Sequence, residues 1–124
     1  MSVNLTALQP GALLGNVAGP LCTATATQGT CVTSAVFTNT STGTLTISGY
    51  VVRSGGSPGP GSTVISGQAL PPGGAYVAQE LSGRNLAAGD AVWAVASVNG
   101  VVNCIIDGFT IADADNTVGS NVVA

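Results

Sequence analysis

The sequence predicts an all-β protein, an antiparallel β-sandwich of seven to eight strands, and three observations support this fold class. Short runs rich in Val, Thr, Ile and Ala alternate between apolar and polar residues, as strands with one buried face do. Clusters of Gly, Pro, Asn and Ser separate these runs at regular spacing. No segment keeps apolar residues at helical spacing over several turns.

We predict seven strands from these patterns, and a short edge piece at Arg84–Leu86 as an eighth. Strands at this spacing are typical of sandwiches with either Ig-like or jelly-roll connectivity, and the spacing does not choose between the two. The seven predicted strands are Leu21–Ala26, Thr30–Asn39, Thr44–Val52, Thr63–Gly67, Ala75–Leu81, Ala91–Val98 and Val101–Ile111.

Two local patterns make the prediction more specific. In the third strand Leu45, Ile47 and Val51 share one face, which we expect to be buried, and Gly49 interrupts that row as a bulge or close backbone approach would. The dipeptide Asn99-Gly100 joins the last two runs, and both central residues of a type I′ hairpin turn need positive φ. We therefore expect those last two strands to pair as a hairpin.

The chain divides into an extended N-terminal arm (1–20), a β-sandwich domain (21–112) and a C-terminal tail (113–124). The turn pairs Pro10-Gly11 and Gly19-Pro20 punctuate the arm, which has no core of its own. Such an arm either stays in solvent or lies across a neighbouring subunit. The apolar residues that would contact a partner are Val3, Leu5, Leu8, Leu13 and Leu14.

The charge content excludes several classes of function. Of 124 residues 6% are charged; there is no His, and Arg53 and Arg84 are the only cationic residues against five acids. Two arginines cannot neutralise a phosphate backbone, so we expect no nucleic-acid partner. General acid–base catalysis mostly uses His or tuned carboxylate pairs, so we expect no enzyme, no cofactor and no metal site. A chain with so little charge repels its copies weakly, which favours association.

No apolar run approaches the length of a transmembrane helix, and no basic segment precedes the stretch Ala12-Leu13-Leu14 as in a secretory signal. We therefore expect no membrane partner and synthesis in a cytosol. Three cysteines remain: Cys22 and Cys31 would face each other if they flanked a hairpin, or all three, with Cys104, are small buried thiols.

Two aromatic residues are candidates for an interface. Trp93 lies on an alternating strand, where it either packs in the core or anchors a contact with another subunit. Tyr50 falls on the polar face of its strand and is positioned to meet a neighbouring subunit.

Five segments carry a recurring order of motifs: Val32–Ser41, Thr46–Gly56, Leu70–Gly74, Leu86–Ser97 and Val102–Gly108. The order is an apolar strand, an Asn-Thr-Ser turn, a strand ending in Ser-Gly-Gly, Leu-x-Pro/Ala-Gly, Ala-Gly-Asp and a final Val-Asn strand. In this order the chain resembles the small virion proteins of tailed bacteriophages. The resemblance implies an Ig-like β-sandwich on the virion, without catalytic residues, and the three cysteines depart from its pattern.

On this basis we expect a capsid decoration (cement) protein that is assembled in the bacterial host cytoplasm and resides in the virion. It would bind the outer head surface as a homo-oligomer, with a trimer favoured, and contact the major capsid protein or other virion proteins. A tail, neck, collar or fibre component is the first alternative. A host-surface or carbohydrate-binding module is the second.

Overall fold

The computed structural model of the protein describes residues 2–25 and 29–112, which form two antiparallel sheets packed face to face. The predicted fold class, an all-β antiparallel sandwich, is confirmed. The strands are β1 (Ser2–Leu13), β2 (Gly19–Thr23), β3 (Thr30–Asn39), β4 (Leu45–Val52), β5 (Thr63–Leu70), β6 (Ala75–Val77), β7 (Asn85–Leu86), β8 (Ala91–Ala96) and β9 (Val102–Ala112).

The order of strands is that of a jelly roll. Sheet A runs β1-β9-β3-β6, with β7 also beside β3, and sheet B runs β2-β8-β4-β5. If the two-residue β7 is set aside, successive strands fall in sheets A, B, A, B, B, A, B and A, which is the alternation of the double Greek key. Of the two connectivities that strand spacing left open, the structure therefore has the jelly roll, and the Ig-like connectivity that the resemblance implied is wrong.

The core lies between the sheets and follows the alternation in the sequence. Leu45, Ile47 and Val51 of β4 are buried, as predicted. Alternate residues of β8, beside β4 in sheet B, and of β9 in sheet A are buried in the same core. Burying one such aliphatic side chain contributes about 1.5–3 kcal/mol. The largest fully buried apolar side chains are Phe37, Leu14, Ile47, Leu70, Leu81, Leu86 and Ile106.

The structure corrects the prediction of an N-terminal arm, because residues 2–13 form a strand of the sandwich. Over Ser2–Leu13 the chain is an edge strand of sheet A that pairs with β9 from Ser2↔Ala112 to Leu13↔Asn103. Pro10 and Gly11 fall in a register shift between Gln9 and Ala12, so the residues interpreted as a turn form an irregularity within the strand. Pairing with β9 satisfies backbone groups that a free arm would leave to water. The predicted tail, 113–124, lies outside the described residues.

The hairpin predicted at Asn99-Gly100 is also wrong. Its flanking strands lie in different sheets, because β8 pairs with β2 and β4 whereas β9 pairs with β1 and β3. Gly100 has φ of 77°, but among the described residues positive φ occurs only at glycines, so Asn99 cannot complete a type I′ turn. The Gly100 N–H instead donates to the carbonyl of Leu14, which ties this crossing to the end of β1.

Three smaller outcomes concern the strand ends and the cysteines. The strand predicted over Ala75–Leu81 forms only at Ala75–Val77 and then turns, whereas the edge piece predicted before β8 is confirmed as β7. Cys22 and Cys31 lie on β2 and β3, in opposite sheets, so the hairpin that would bring them together does not exist. All three cysteines are free, and Cys104 is the buried one.

Candidate functional site

The nine described strands contain a single charged residue, Asp107 of β9. The other charged residues of the described part lie in the segments between strands: Arg53, Glu80, Arg84 and Asp90. Apart from Asp107 on sheet A, the outer faces of both sheets are therefore built from hydroxyl, amide and apolar side chains. Such faces provide little electrostatic repulsion to a second protein surface.

The outer face of sheet A exposes an apolar patch at one end of β1 and β9. Gly108 and Ile106 of β9 face the core, so Phe109 and Ile111 point outward, and their direct partners on β1 are Leu5 and Val3. Leu5 is 86% exposed and Val3 56% exposed. We call these four residues, Val3, Leu5, Phe109 and Ile111, the sheet A patch.

A second apolar row crosses the same face. Ile105 of β9 pairs with Val36 of β3, and Val36 pairs with Val77 of β6. Ile105 and Val77 are exposed, and Asp107 separates this row from the sheet A patch along β9. Apolar side chains thus recur across the width of sheet A rather than at isolated points, which is a feature of surfaces that other proteins cover.

Strand β1 adds an open edge to this face. It is the last strand of sheet A, so one row of its backbone N–H and C=O groups has no strand beside it among the described residues. Natural edge strands are commonly protected by charged residues, and β1 has none. The features of β1 that hinder pairing with another strand are Pro10, which lacks a backbone N–H, and the two register shifts near Gln9.

The five arm residues predicted to contact a partner separate into two groups. Val3, Leu5 and Leu13 are exposed on β1, which leaves them available to a partner. Leu8 packs against the core, and Leu14 is 2% exposed within it, where its N–H donates to the carbonyl of Val102. Leu14 is thus a core residue, and its role as a partner contact is withdrawn.

Tyr50 and Trp93, the two aromatic candidates, are direct cross-strand partners on β4 and β8. Both are half-buried on the outer face of sheet B, because their neighbours Val51 and Val92 face the core. Core packing, one of the two alternatives for Trp93, is therefore excluded. Pro20 of β2 pairs with Trp93, so the row continues across the sheet.

A polar cluster lies at the end of β4, where Asp90 is 5% exposed. Its carboxylate accepts hydrogen bonds from the N–H groups of Ser54 and Ala87 and from Nη1 of Arg53, each at 2.9 Å. Burial by itself raises the pKa of Asp90, but these three donors outweigh it and hold the pKa below its ordinary value. Asp90 thus caps backbone donors on both of the segments that it joins.

The other carboxylate between the strands belongs to Glu80. The hydroxyl of Tyr76 donates to it, at 2.6 Å from both oxygens. This hydrogen bond raises the pKa of Tyr76 above its usual value, and burial and the negative charge of Glu80 act in the same direction. This hydrogen bond joins Tyr76 of β6 to Glu80 in the turn that follows.

Cys22 and Cys104 have the properties of structural thiols. Burial raises the pKa of Cys104 to about 12, with a smaller effect of the same sign from Cys22. Burial also raises the pKa of Cys22, and a backbone hydrogen bond at Val92 offsets this increase only in part. A nucleophilic cysteine needs a lowered pKa, so neither thiol is activated for chemistry.

A concavity beside the ends of β4 and β5 has a volume of about 500 Å³, and Arg53 and Arg84 both line it. The other lining residues are Val51, Gly56, Ser57, Gly59, Gly61, Ser62, Thr63 and Val64. Within the described chain no group of three or more His, Cys, Asp or Glu side chains is placed to hold a metal ion. None of its segments is a helix long and apolar enough to cross a membrane.

Comparison with known proteins yields no relative: no family model, no curated protein and no solved structure matches this chain.

Sequence reasoning did not identify four apolar surface residues, Phe109, Ile111, Ile105 and Val77. It also did not predict that Arg53 and Arg84 line the same concavity. The alternation of β9 contained the signal for the first group, because Ile105, Asp107, Phe109 and Ile111 share one face with a charged residue among them. No sequence signal brought Arg53 and Arg84 together, since they follow different strands in different sheets.

Proposed function

We propose that the protein is a non-catalytic structural protein of a bacteriophage virion, a capsid decoration protein that binds the outer head surface and stabilises the shell. It acts as a homo-oligomer, for which we favour a trimer, and it contacts the major capsid protein. The observation that carries the proposal is the outer face of sheet A, where a single charged residue interrupts exposed apolar rows.

Covering this face supplies the binding free energy. Burial of each large aliphatic side chain contributes about 1.5–3 kcal/mol, and Leu5 and Val3 are exposed on every copy. The uncharged edge of β1 adds backbone hydrogen-bonding groups that a neighbouring strand can pair with. A jelly roll is also the architecture of many viral capsid domains, which supports the proposal by analogy of fold only.

The first test concerns self-association. Sedimentation velocity of the purified protein should give a trimer, and Leu5→Gln should shift the distribution toward monomer because it places an amide in the covered patch. Val17→Gln is the matched control, since Val17 is 78% exposed in the connection between β1 and β2, away from the patch. A wild-type protein that is monomeric at all concentrations would contradict the oligomer.

The second test concerns the location. Quantitative mass spectrometry of purified virions should count hundreds of copies of this polypeptide per particle if it decorates the head. A dozen or fewer copies would reject decoration and favour the tail, neck, collar or fibre alternative. Its absence from virions would reject the proposal altogether.

One observation favours a second candidate, a host-surface or carbohydrate-binding module. Tyr50 and Trp93 place two rings side by side on the outer face of sheet B, and aromatic rings are the usual stacking surfaces for sugars. Trp93 is the only tryptophan of the chain, so its fluorescence reports on this face alone. Titration with neutral oligosaccharides should change that fluorescence if the module binds sugar there, and an unchanged spectrum would remove this candidate.

A further inference from the structure

We propose that the concavity lined by Arg53 and Arg84 binds a small carboxylate-bearing ligand of monosaccharide size, of which a hexuronic acid is the model. None of its lining residues belongs to the sheet A patch, so the site does not depend on the virion role. We call this concavity the arginine pocket, and its lining includes Val51, Ser57 and Val64 besides the two arginines.

The first reason is that the two arginines converge. They are the only cationic side chains of a chain with net charge −3 and no histidine. Arg53 follows β4 of sheet B, and Arg84 precedes β7 of sheet A, yet both line one concavity. An otherwise acidic protein thus has its entire positive side-chain charge at a single place, which makes that place the preferred site for an anion.

The second reason is that each guanidinium is held by one edge and keeps its other donors unused. Nη1 of Arg53 donates to the carbonyl of Asn85 and to the carboxylate of Asp90, while Nε of Arg84 donates to the carbonyl of Glu80. In the described structure, Nε and Nη2 of Arg53 and both Nη groups of Arg84 have no hydrogen-bond partner. Anchored guanidinium groups with free N–H edges suit bidentate recognition of a carboxylate.

The third reason is the balance of charge. Asp90 neutralises part of the charge of Arg53, with which it forms an ion pair of 2.9 Å. Glu80 does not line the concavity, and among the described residues no carboxylate lies within ion-pairing distance of Arg84. Arg53 and Arg84 against the single carboxylate of Asp90 leave the pocket with a net positive charge of about one unit at neutral pH, which matches a monoanion such as a carboxylate.

The fourth reason is that the surrounding loop is already ordered by its own hydrogen bonds. The hydroxyl of Ser62 accepts from the N–H of Gly59 at 3.0 Å, and the hydroxyl of Thr63 donates to the carbonyl of Gly59 at 2.8 Å. The N–H of Gly56 donates to the carbonyl of Arg53, which closes the loop at its other end. A preformed wall avoids the conformational entropy that ordering a loop on binding would cost.

Size and lining together indicate the class of ligand. A volume of about 500 Å³ is far larger than a bare ion needs and falls in the range of small-molecule sites. Val64, which is partly exposed, offers an apolar contact for the face of a ring, and Ser57 offers a hydroxyl without a partner among the described residues. A pyranose ring with one carboxylate and several hydroxyls meets all three features.

The test is a titration of the isotope-labelled full-length protein by two-dimensional ¹H–¹⁵N NMR with glucuronate, glucose, acetate and inorganic phosphate. Glucuronate should shift the backbone N–H signals of the non-proline residues of 54–62 and the side-chain Nε signals of Arg53 and Arg84, and glucose should shift none of them. No shift with glucuronate would overturn the site. An equal response to acetate or phosphate at the same concentration would overturn the sugar assignment and leave a simple anion site.

Two variants and a control make the test specific. Arg84→Gln should weaken glucuronate binding about tenfold or more, because it removes the guanidinium with the most unused donors. Thr42→Glu reaches the same net charge in an exposed turn away from the pocket and should leave the affinity unchanged. Ser57→Glu, at an exposed loop position, should also abolish binding by placing a carboxylate in the pocket. Retained binding in both pocket variants would overturn the proposal.

Discussion

Arg53 and Asp90 form an ion pair in which the two partners have opposite exposures: Nη1 lies 2.9 Å from Oδ2, the Arg53 side chain is 59% exposed and the Asp90 side chain 7% exposed. The buried carboxylate also accepts from the N–H groups of Ser54 and Ala87, so it joins the end of β4 to the turn before β8. The acidic partner of this pair is therefore the structural one, whereas the basic partner faces the solvent of the arginine pocket.

Replacing Asp90 with Ala should lower the free energy of unfolding by about 2–4 kcal/mol, because two backbone donors and a guanidinium lose their acceptor. Urea unfolding followed by circular dichroism measures the change. Asp107→Ala, at an exposed position in β9, is the control and should change stability by less than about 0.5 kcal/mol. Equal effects of the two substitutions would show that Asp90 does not organise this end of the sandwich.

Asp90 also predicts how stability depends on pH. Its native pKa is lowered, so the native state binds fewer protons than the unfolded state, and the stabilisation is present above the unfolded pKa of about 3.9. It should be lost as the pH falls below that value through the native pKa. The melting temperature of the wild type should drop over this range, and Asp90→Asn should show a shallower drop. Parallel curves for the two proteins would contradict the assignment.

Gly108 of β9 should tolerate no side chain. A Cβ there would overlap the carbonyl oxygen of Cys31 on the neighbouring strand and lie 2.7 Å from Cδ1 of Leu8. Gly108→Ala should therefore cost about 1–3 kcal/mol, since backbone cannot move aside as a flexible side chain can. Gly19→Ala is the matched control, because nothing lies within 4 Å of its Cβ position. Thermal melts should separate the two variants, and a wild-type melt for Gly108→Ala would refute the close approach.

Asn39 at the end of β3 is fully buried and uses both ends of its amide. Nδ2 donates to the carbonyls of Gly43, Leu70 and Pro71, and Oδ1 accepts from the N–H and hydroxyl of Ser41. Asn39→Ala should cost about 2–3 kcal/mol through unsatisfied buried groups.

Asn39→Asp separates hydrogen bonding from packing at this site. It keeps the volume of the side chain but turns a donor into a buried acceptor, so it should destabilise the protein at neutral pH and recover part of the loss near pH 4, where a buried carboxyl becomes neutral. Denaturation at both pH values measures this. Identical losses at the two values would mean that the charge of the substituted group is irrelevant.

Cys104 should be inert in the native protein. With a pKa of about 12 it is almost wholly protonated at pH 8, and only the thiolate attacks alkylating reagents. Iodoacetamide labelling followed by peptide mass spectrometry should modify Cys104 only after denaturation in urea, which also serves as the control for reagent activity. Fast modification of the folded protein would contradict the burial of this thiol.

Sequence reasoning reached the fold class and most strands because burial alternates with a period of two along each strand. The row of Leu45, Ile47 and Val51 is buried as predicted, and Gly49 coincides with register shifts between β4 and β5. Its Cβ position lies 3.1 Å from Cδ1 of Ile65, which is the close approach that glycine permits. These outcomes depend on residues near one another in sequence, where the pattern and its physical cause coincide.

The prediction of an N-terminal arm and the prediction of a hairpin at Asn99-Gly100 were wrong for the same reason. Whether a segment is an arm or an edge strand depends on a partner, β9, from the other end of the chain. Whether two adjacent runs pair with each other depends on which other strands compete for their edges, and β4 and β3 take the positions that a hairpin would have used. The local sequence of a segment does not show which distant strands pair with it.

By itself, the sequence determined that this protein is built from strands with almost no charge, because composition and two-residue periodicity are properties of single segments. Only the tertiary structure decided the jelly-roll order, the outward position of Trp93 beside Tyr50, and the placement of Arg53 and Arg84 around one concavity. Those relationships join residues that are distant along the chain. Their contacts are selected by the packing of the whole sandwich, which no single segment contains.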